Sequence, residues 1–118
     1  MKIAVAATGE TLDSQVDERL GRARKFIIVD TETGAFEVHD NTENLNAAHG
    51  AGTQAAAAIS RLGAQAVVAG HCGPKAFRAL RTAGIDVYVN VTGTVAEAVE
   101  ALKAGRLKPA GSADVEGV

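Results

Sequence analysis

Apolar positions in this chain fall in short runs separated by glycine-rich breaks, and the spacing of each run predicts an element. Ile3–Ala7 is continuous, small and β-branched, and it stops at the polar Thr8-Gly9-Glu10, so it predicts a strand buried on both faces. Lys25–Asp30 (KFIIVD) predicts a second. Ala35–Asp40 (AFEVHD) alternates apolar with polar, the pattern of an edge or half-exposed strand. Between these two, Thr31-Glu32-Thr33-Gly34 has the length and the glycine of a hairpin loop, so they should pair antiparallel.

Asp40–Gly52 (DNTENLNAAHGAG) has no period and is rich in Asn and Gly, and it reads as a long loop. The alanines of Thr53–Leu62 predict a helix stopped by Gly63. Ala66–Ala69 predicts a short buried strand. Pro74–Ala83 predicts a helix, with Pro in its first turn and Gly84 past its end. Ile85–Val91 predicts a strand, and Val95–Ala104 an amphipathic helix closed by Gly105, with Val95, Val99 and Leu102 on one face. The order β–β–β–α–β–α–β–α predicts a three-layer α/β fold. Its mixed five-stranded sheet has an N-terminal antiparallel hairpin, helices on both faces and right-handed βαβ units. Residues 1–107 are expected to form a single domain, and 108–118 a flexible C-terminal tail.

Composition narrows the function. A chain of 118 residues with 47% apolar residues supports one core, and a net charge of -2 gives no pull toward nucleic acid or an acidic membrane. With 3% aromatics there is almost nothing on which to stack bases. No run is long enough for a membrane span. One cysteine makes no intramolecular disulfide and no all-thiolate metal site, a composition suited to a reducing cytoplasm.

In sheets of this kind ligands bind beyond the carboxyl ends of the parallel strands, here Ala7–Gly9, Gly70–Gly73 and Asn90–Thr94. Near them, VDERLGRARK sets Arg19, Arg22, Arg24 and Lys25 around Gly21, a cation cluster suited to an oxyanion. The competing reading is a solvated turn whose cations pair with Asp13, Asp17 and Glu18. His49-Gly50-Ala51-Gly52 precedes a helix, and its glycines free backbone N–H groups to approach an anion; a plain helix entry is the alternative. Gly70-His71-Cys72-Gly73-Pro74 is a strand-to-helix turn in which Cys72 and His71, like His49, are residue types that ligate soft metals. Neighbours on a strand end point oppositely, however, and an isolated cysteine is often just a small apolar core residue. No base and orienting group can be placed for covalent catalysis, and no carboxylate sits on the first strand to build a two-metal nuclease site.

Taken together, LGRARKFIIVD, NAAHGAGTQAA, VVAGHCGPKAFRAL, AGIDVYVNVTGTVAEAV and ALKAGRL resemble the dinitrogenase iron–molybdenum cofactor biosynthesis family, in order over Met1–Leu107. The resemblance implies a ribonuclease-H-like fold and a non-enzymatic carrier. Its cargo would be an anionic metal–sulfur cluster passed among metallocluster-assembly or ATPase proteins of an anaerobe. One branch of the family holds a molybdenum–copper sulfide cluster without a cysteine anchor. Carriers of the nitrogenase cofactor have His-Phe-Gly where this chain has Arg19-Leu20-Gly21, so the resemblance favours the molybdenum–copper cluster over the iron–molybdenum cofactor. Together with the cation cluster and the glycine-rich loops, this makes the residues expected at the cluster Arg19, Gly21, Arg22, His49, Gly50, Gly52, His71, Cys72 and Gly73, with Cys72 optional as a ligand. A regulatory or partner-binding module whose pocket takes a simple oxyanion is the alternative.

Overall fold

The computed structural model describes residues 1–41 and 51–111. Five strands form one sheet in the order β3-β2-β1-β4-β5: β1 (Lys2–Ala7), β2 (Lys25–Asp30), β3 (Phe36–Asp40), β4 (Ala66–Val68) and β5 (Asp86–Tyr88). β2 runs antiparallel to both β1 and β3, whereas β4 is parallel to β1 and to β5. The central β1 is therefore the switch between the antiparallel and the parallel half.

The continuous apolar run of β1 is explained by what covers it. Ala4 and Ala6 face a core shared with Phe26, Ile28, Val67 and Val87. α1 (Ala51–Arg61) and α2 (Pro74–Thr82) close that core through Ala55, Ile59, Ala76 and Leu80. Ile3 and Val5 face the opposite core, with Ile27, Val29, Val68 and the Val95, Ala98 and Val99 side of α3 (Val95–Lys103). Strand alternation thus feeds two cores from one segment, which makes the domain three-layered. The hairpin and the helices on both faces are as the apolar pattern predicts.

Most boundaries move by a single residue from the sequence reading, and three larger differences each have a physical reason. β5 stops at Tyr88 although the apolar alternation runs to Val91, because Asn90 turns left-handed (φ 62°) and Val91 packs inward from a loop. α1 begins before Thr53 and takes in Gly52, where an added Cβ would sit 3.0 Å from the Ala76 Cβ. Close approach of α1 to α2 is what the small residue provides there. At the C-terminal side, Leu107 packs against the second core and the Ala110 N–H donates to the Val87 carbonyl at 2.7 Å, fastening that stretch to β5. The expected tail thus begins as a tied segment, and its residues 112–118 lie outside the described residues.

α3 opens with a capping box. The Glu97 N–H donates to the Thr94 hydroxyl oxygen (3.1 Å), while the Thr94 N–H and hydroxyl both donate to Glu97 Oε1 (3.0 and 3.1 Å). The Thr94 backbone bond, then its hydroxyl, holds the Glu97 carboxyl below its ordinary value. A carboxyl of depressed pKa adds stability above its unfolded value and loses it as pH falls through the folded one. Glu97→Gln should therefore be less stable than the parent near neutrality, and the gap should close in acid. Thr94→Ala should cost about 1 kcal/mol. Urea denaturation across pH reads both.

Candidate functional site

The stretch from Gln15 to Leu20 builds the site by crossing the carboxyl end of β1. Val16 is anchored in the α3-side core and Leu20 in the α1/α2-side core, so the residues between them must pass over the sheet's edge. Main-chain bonds fix the crossing. Thr8 N–H donates to the Gln15 carbonyl (3.0 Å), Val16 N–H to Gly93 (2.9 Å) and Asp17 N–H to Ala6 (2.8 Å). From the other side Gly70 N–H donates to Asp17 (3.0 Å), and Leu20 N–H to His71 (3.2 Å). Arg19 and His71 form a parallel bridge.

Gly70 has to be glycine for this arrangement. A Cβ there would lie 2.8 Å from the Glu18 Cα and 3.0 Å from its carbonyl oxygen, both backbone atoms. Its own carbonyl accepts from the Asn90 N–H at 2.7 Å, which draws in the third wall. The result is a cleft of about 600 Å³, within the range of small-molecule sites. Thr8, Gln15–Arg19, Gly70, His71 and Asn90–Gly93 line it. This is the position beyond strands β1, β4 and β5 that the topology indicates for a ligand.

The structure separates the sequence-derived candidates. Arg19 and His71 both line the cleft, and among the described residues no ion pair engages Arg19. Gly21 is buried just behind, and its carbonyl, with that of Ala23, accepts from the buried Asn41 Nδ2 (3.3 and 2.8 Å). That clamp shapes the turn rather than exposing Gly21 to a ligand. Arg22 is half-buried and Arg24 exposed, both outside the lining. Lys25 is drawn away into pairs with Glu10 (3.3 Å) and Asp40 (3.6 Å). The four cations therefore do not converge. Of the ion pairs among the described residues, none joins Arg19, Arg24 or Lys25 to Asp13, Asp17 or Glu18; the Asp17 Oδ1 accepts from the Arg19 N–H at 3.1 Å.

Cys72 and His71 diverge, as strand alternation requires. His71 faces the cleft, while Cys72 is fully buried in the α1/α2-side core and its thiol donates to the Gly73 carbonyl at 3.6 Å. Gly73 is the N-cap of α2, with no side-chain cap. Gly52 lies in the first turn of α1, and His49 and Gly50 fall outside the described residues. Among the described residues no group of three or more His, Cys, Asp or Glu is placed to hold a metal ion. Sequence reasoning treated Asp17 and Glu18 only as partners of the cations and did not place Gln15 to Glu18 on the lining. Their only sequence signal was the pair of apolar anchors, Val16 and Leu20, flanking a polar stretch.

The mixed sheet with a backbone-braced cleft over its switch strand defines the class, a three-layer α/β domain with a candidate ligand site. Residues 1–105 match the dinitrogenase iron–molybdenum cofactor family, and the chain belongs to it. The apo form of the orange protein from Desulfovibrio gigas superposes with a TM-score of 0.95 at 41% identity, covering 97% of this chain and 96% of that one. The Thermotoga protein TM1290 superposes with a TM-score of 0.84 at 38% identity, covering 98% of each chain. An uncharacterized protein of Methanocaldococcus jannaschii, MJ0580, is 33% identical over 110 residues, covering 92% of this chain and 90% of its own length. No helix among the described residues is long and apolar enough to cross a membrane.

Proposed function

We propose that the chain binds an anionic molybdenum-containing metal–sulfur cluster in this cleft, and stores or delivers it rather than transforming a substrate. The observation that carries the reading is the build of the cleft. Main-chain bonds hold Arg19 beside His71 over the end of the central strand, and the lone thiol is turned into the core. A cluster whose own sulfides satisfy its metals asks the protein for a cation and hydrogen-bond donors, not for a set of ligands. Arg19, His71, Asn90 and the hydroxyl of Thr92 are groups of that kind on the lining.

Family membership and the likeness to the orange protein support metallocluster handling in general. The finer choice, a molybdenum–copper sulfide cluster over the iron–molybdenum cofactor, rests on Arg19-Leu20-Gly21 standing where nitrogenase cofactor carriers have His-Phe-Gly. Metallocluster-assembly or ATPase proteins in the cytoplasm are the partners this reading calls for. One observation favours a smaller guest. Asp17 and Glu18 share the lining with Arg19, so the cleft is mixed in charge, and a simple oxyanion held by one arginine fits that balance in a regulatory or partner-binding module.

Adding tetrathiomolybdate and copper to apo protein under anaerobic conditions separates the two. The cluster reading predicts a coloured species that co-elutes with the chain and carries both metals. Binding of molybdate or phosphate with no coloured species would favour the oxyanion reading and overturn the first.

A further inference from the structure

We propose that β3 is a self-pairing edge, through which two copies of this chain join antiparallel about Val38 into one continuous sheet. The inference is independent of what the cleft holds. β3 is the outermost strand on its side of the sheet, and among the described residues no strand pairs with its outer edge. The Asp30 N–H donates to the Ala35 carbonyl and the Asn41 N–H to the Arg24 carbonyl, which marks residues 35 and 41 as hydrogen-bonded positions toward β2. By alternation Glu37 and His39 also turn their main-chain groups to β2, and Phe36 and Val38 turn theirs outward.

The side chains of the same two residues are uncovered. Phe36 is 44% and Val38 38% exposed, and apart from Met1 they are the exposed large hydrophobics among the described residues. Register places them on the α3 side of the sheet beside Val29 and Ile27, at the open margin of that core. An uncovered apolar edge strand is a template for another strand.

The sequence of β3, Phe-Glu-Val-His-Asp, says which strand fits. In an antiparallel pair centred on Val38, that residue meets its own copy and can exchange two hydrogen bonds with it. Glu37 then lies opposite His39 of the second copy, and the symmetry makes this pair twice. These are non-hydrogen-bonded positions, where facing side chains come closest. Phe36 lies opposite the second copy's Asp40 and one diagonal step from its Val38, so the two Val38 side chains form the centre of the apolar contact and each Phe36 flanks it. Sliding the register by two residues in either direction sets Glu37 against Glu37 or His39 against His39. The centred register alone avoids a Glu37–Glu37 contact while placing each Glu37 carboxylate opposite an imidazole that can donate to it, and a second copy supplies both partners. A contact between two five-residue strands is small beside the roughly 1,200–2,000 Å² of stable complexes, so the dimer belongs to high concentration.

Sedimentation velocity of the full chain from micromolar to millimolar concentration tests this. The parent should pass reversibly from monomer to dimer, and Val38→Lys should remain monomeric throughout. His39→Glu, which opposes two carboxylate pairs, should weaken the dimer about tenfold. His39→Lys, which gives Glu37 a cation to face, should not weaken it. Both positions are on the surface strand, so unchanged thermal midpoints will show that the variants remain folded. A parent that stays monomeric at millimolar concentration would overturn the proposal. So would a dimer that survives Val38→Lys, or one indifferent to His39→Glu.

Discussion

Gly70→Ala should lower the unfolding free energy by about 1–3 kcal/mol and should also weaken cluster binding in protein that is still folded. The reason is where the new methyl group lands. At 2.8 Å from the Glu18 Cα and 3.0 Å from its carbonyl oxygen it meets main chain, so no side-chain rotation relieves the contact. The Gln15–Leu20 crossing must lift. With it go the bonds from Gly70 N–H to Asp17 and from Leu20 N–H to His71, and Arg19 loses its place beside His71. Urea denaturation and titration with the reconstituting metals should both register the change. If Gly70→Ala bound the cluster like the parent, the crossing would not be the support of the site.

Arg19→Ala and Cys72→Ser should move opposite properties. Arg19 is exposed at the cleft and packs in neither core, so its removal should leave stability nearly unchanged. Cluster binding should fall about 10–100-fold, the worth of a charge-assisted hydrogen bond to an anion. Cys72→Ser puts a hydroxyl into a fully buried apolar cluster. It should cost about 1–3 kcal/mol of stability and leave affinity within a few-fold. Arg22 lies outside the lining, so Arg22→Ala should weaken binding less than Arg19→Ala. Affinity that follows Cys72 rather than Arg19 would restore the thiol as a ligand.

The fold was legible in the sequence because its determinants are local. Ile3–Ala7 announces a two-faced strand by being apolar throughout, and Thr31–Gly34 is short enough that only a hairpin fits between KFIIVD and AFEVHD. The cleft lies where topology alone expects a ligand, beyond the carboxyl ends of the parallel strands. What builds the site was not legible. Val16 and Leu20 are apolar residues with no period, and only the assembled sheet shows that they belong to opposite cores, forcing the chain between them across β1. The meaning of Gly70 was likewise hidden, because the atom it makes room for, Glu18 Cα, comes from a segment more than fifty residues away.

The cation cluster shows the limit most clearly. Arg19, Arg22, Arg24 and Lys25 look like one feature in the sequence, but the turn from Leu20 to Lys25 is held by Asn41 and disperses them. One reaches the cleft, one is claimed by Glu10 and Asp40, and two lie outside the lining. By contrast, the divergence of His71 and Cys72 could be expected from strand alternation, and the structure places one at the cleft and the other in the core.

Metal analysis of the protein isolated anaerobically from its own cells, without added metal, decides whether it carries a molybdenum cluster. Molybdenum is expected close to one cluster's worth per chain, accompanied by sulfide and retained by Cys72→Ser protein but not by Arg19→Ala protein. Native protein devoid of molybdenum, or carrying a metal that leaves when Cys72 alone is changed, would contradict the cluster reading.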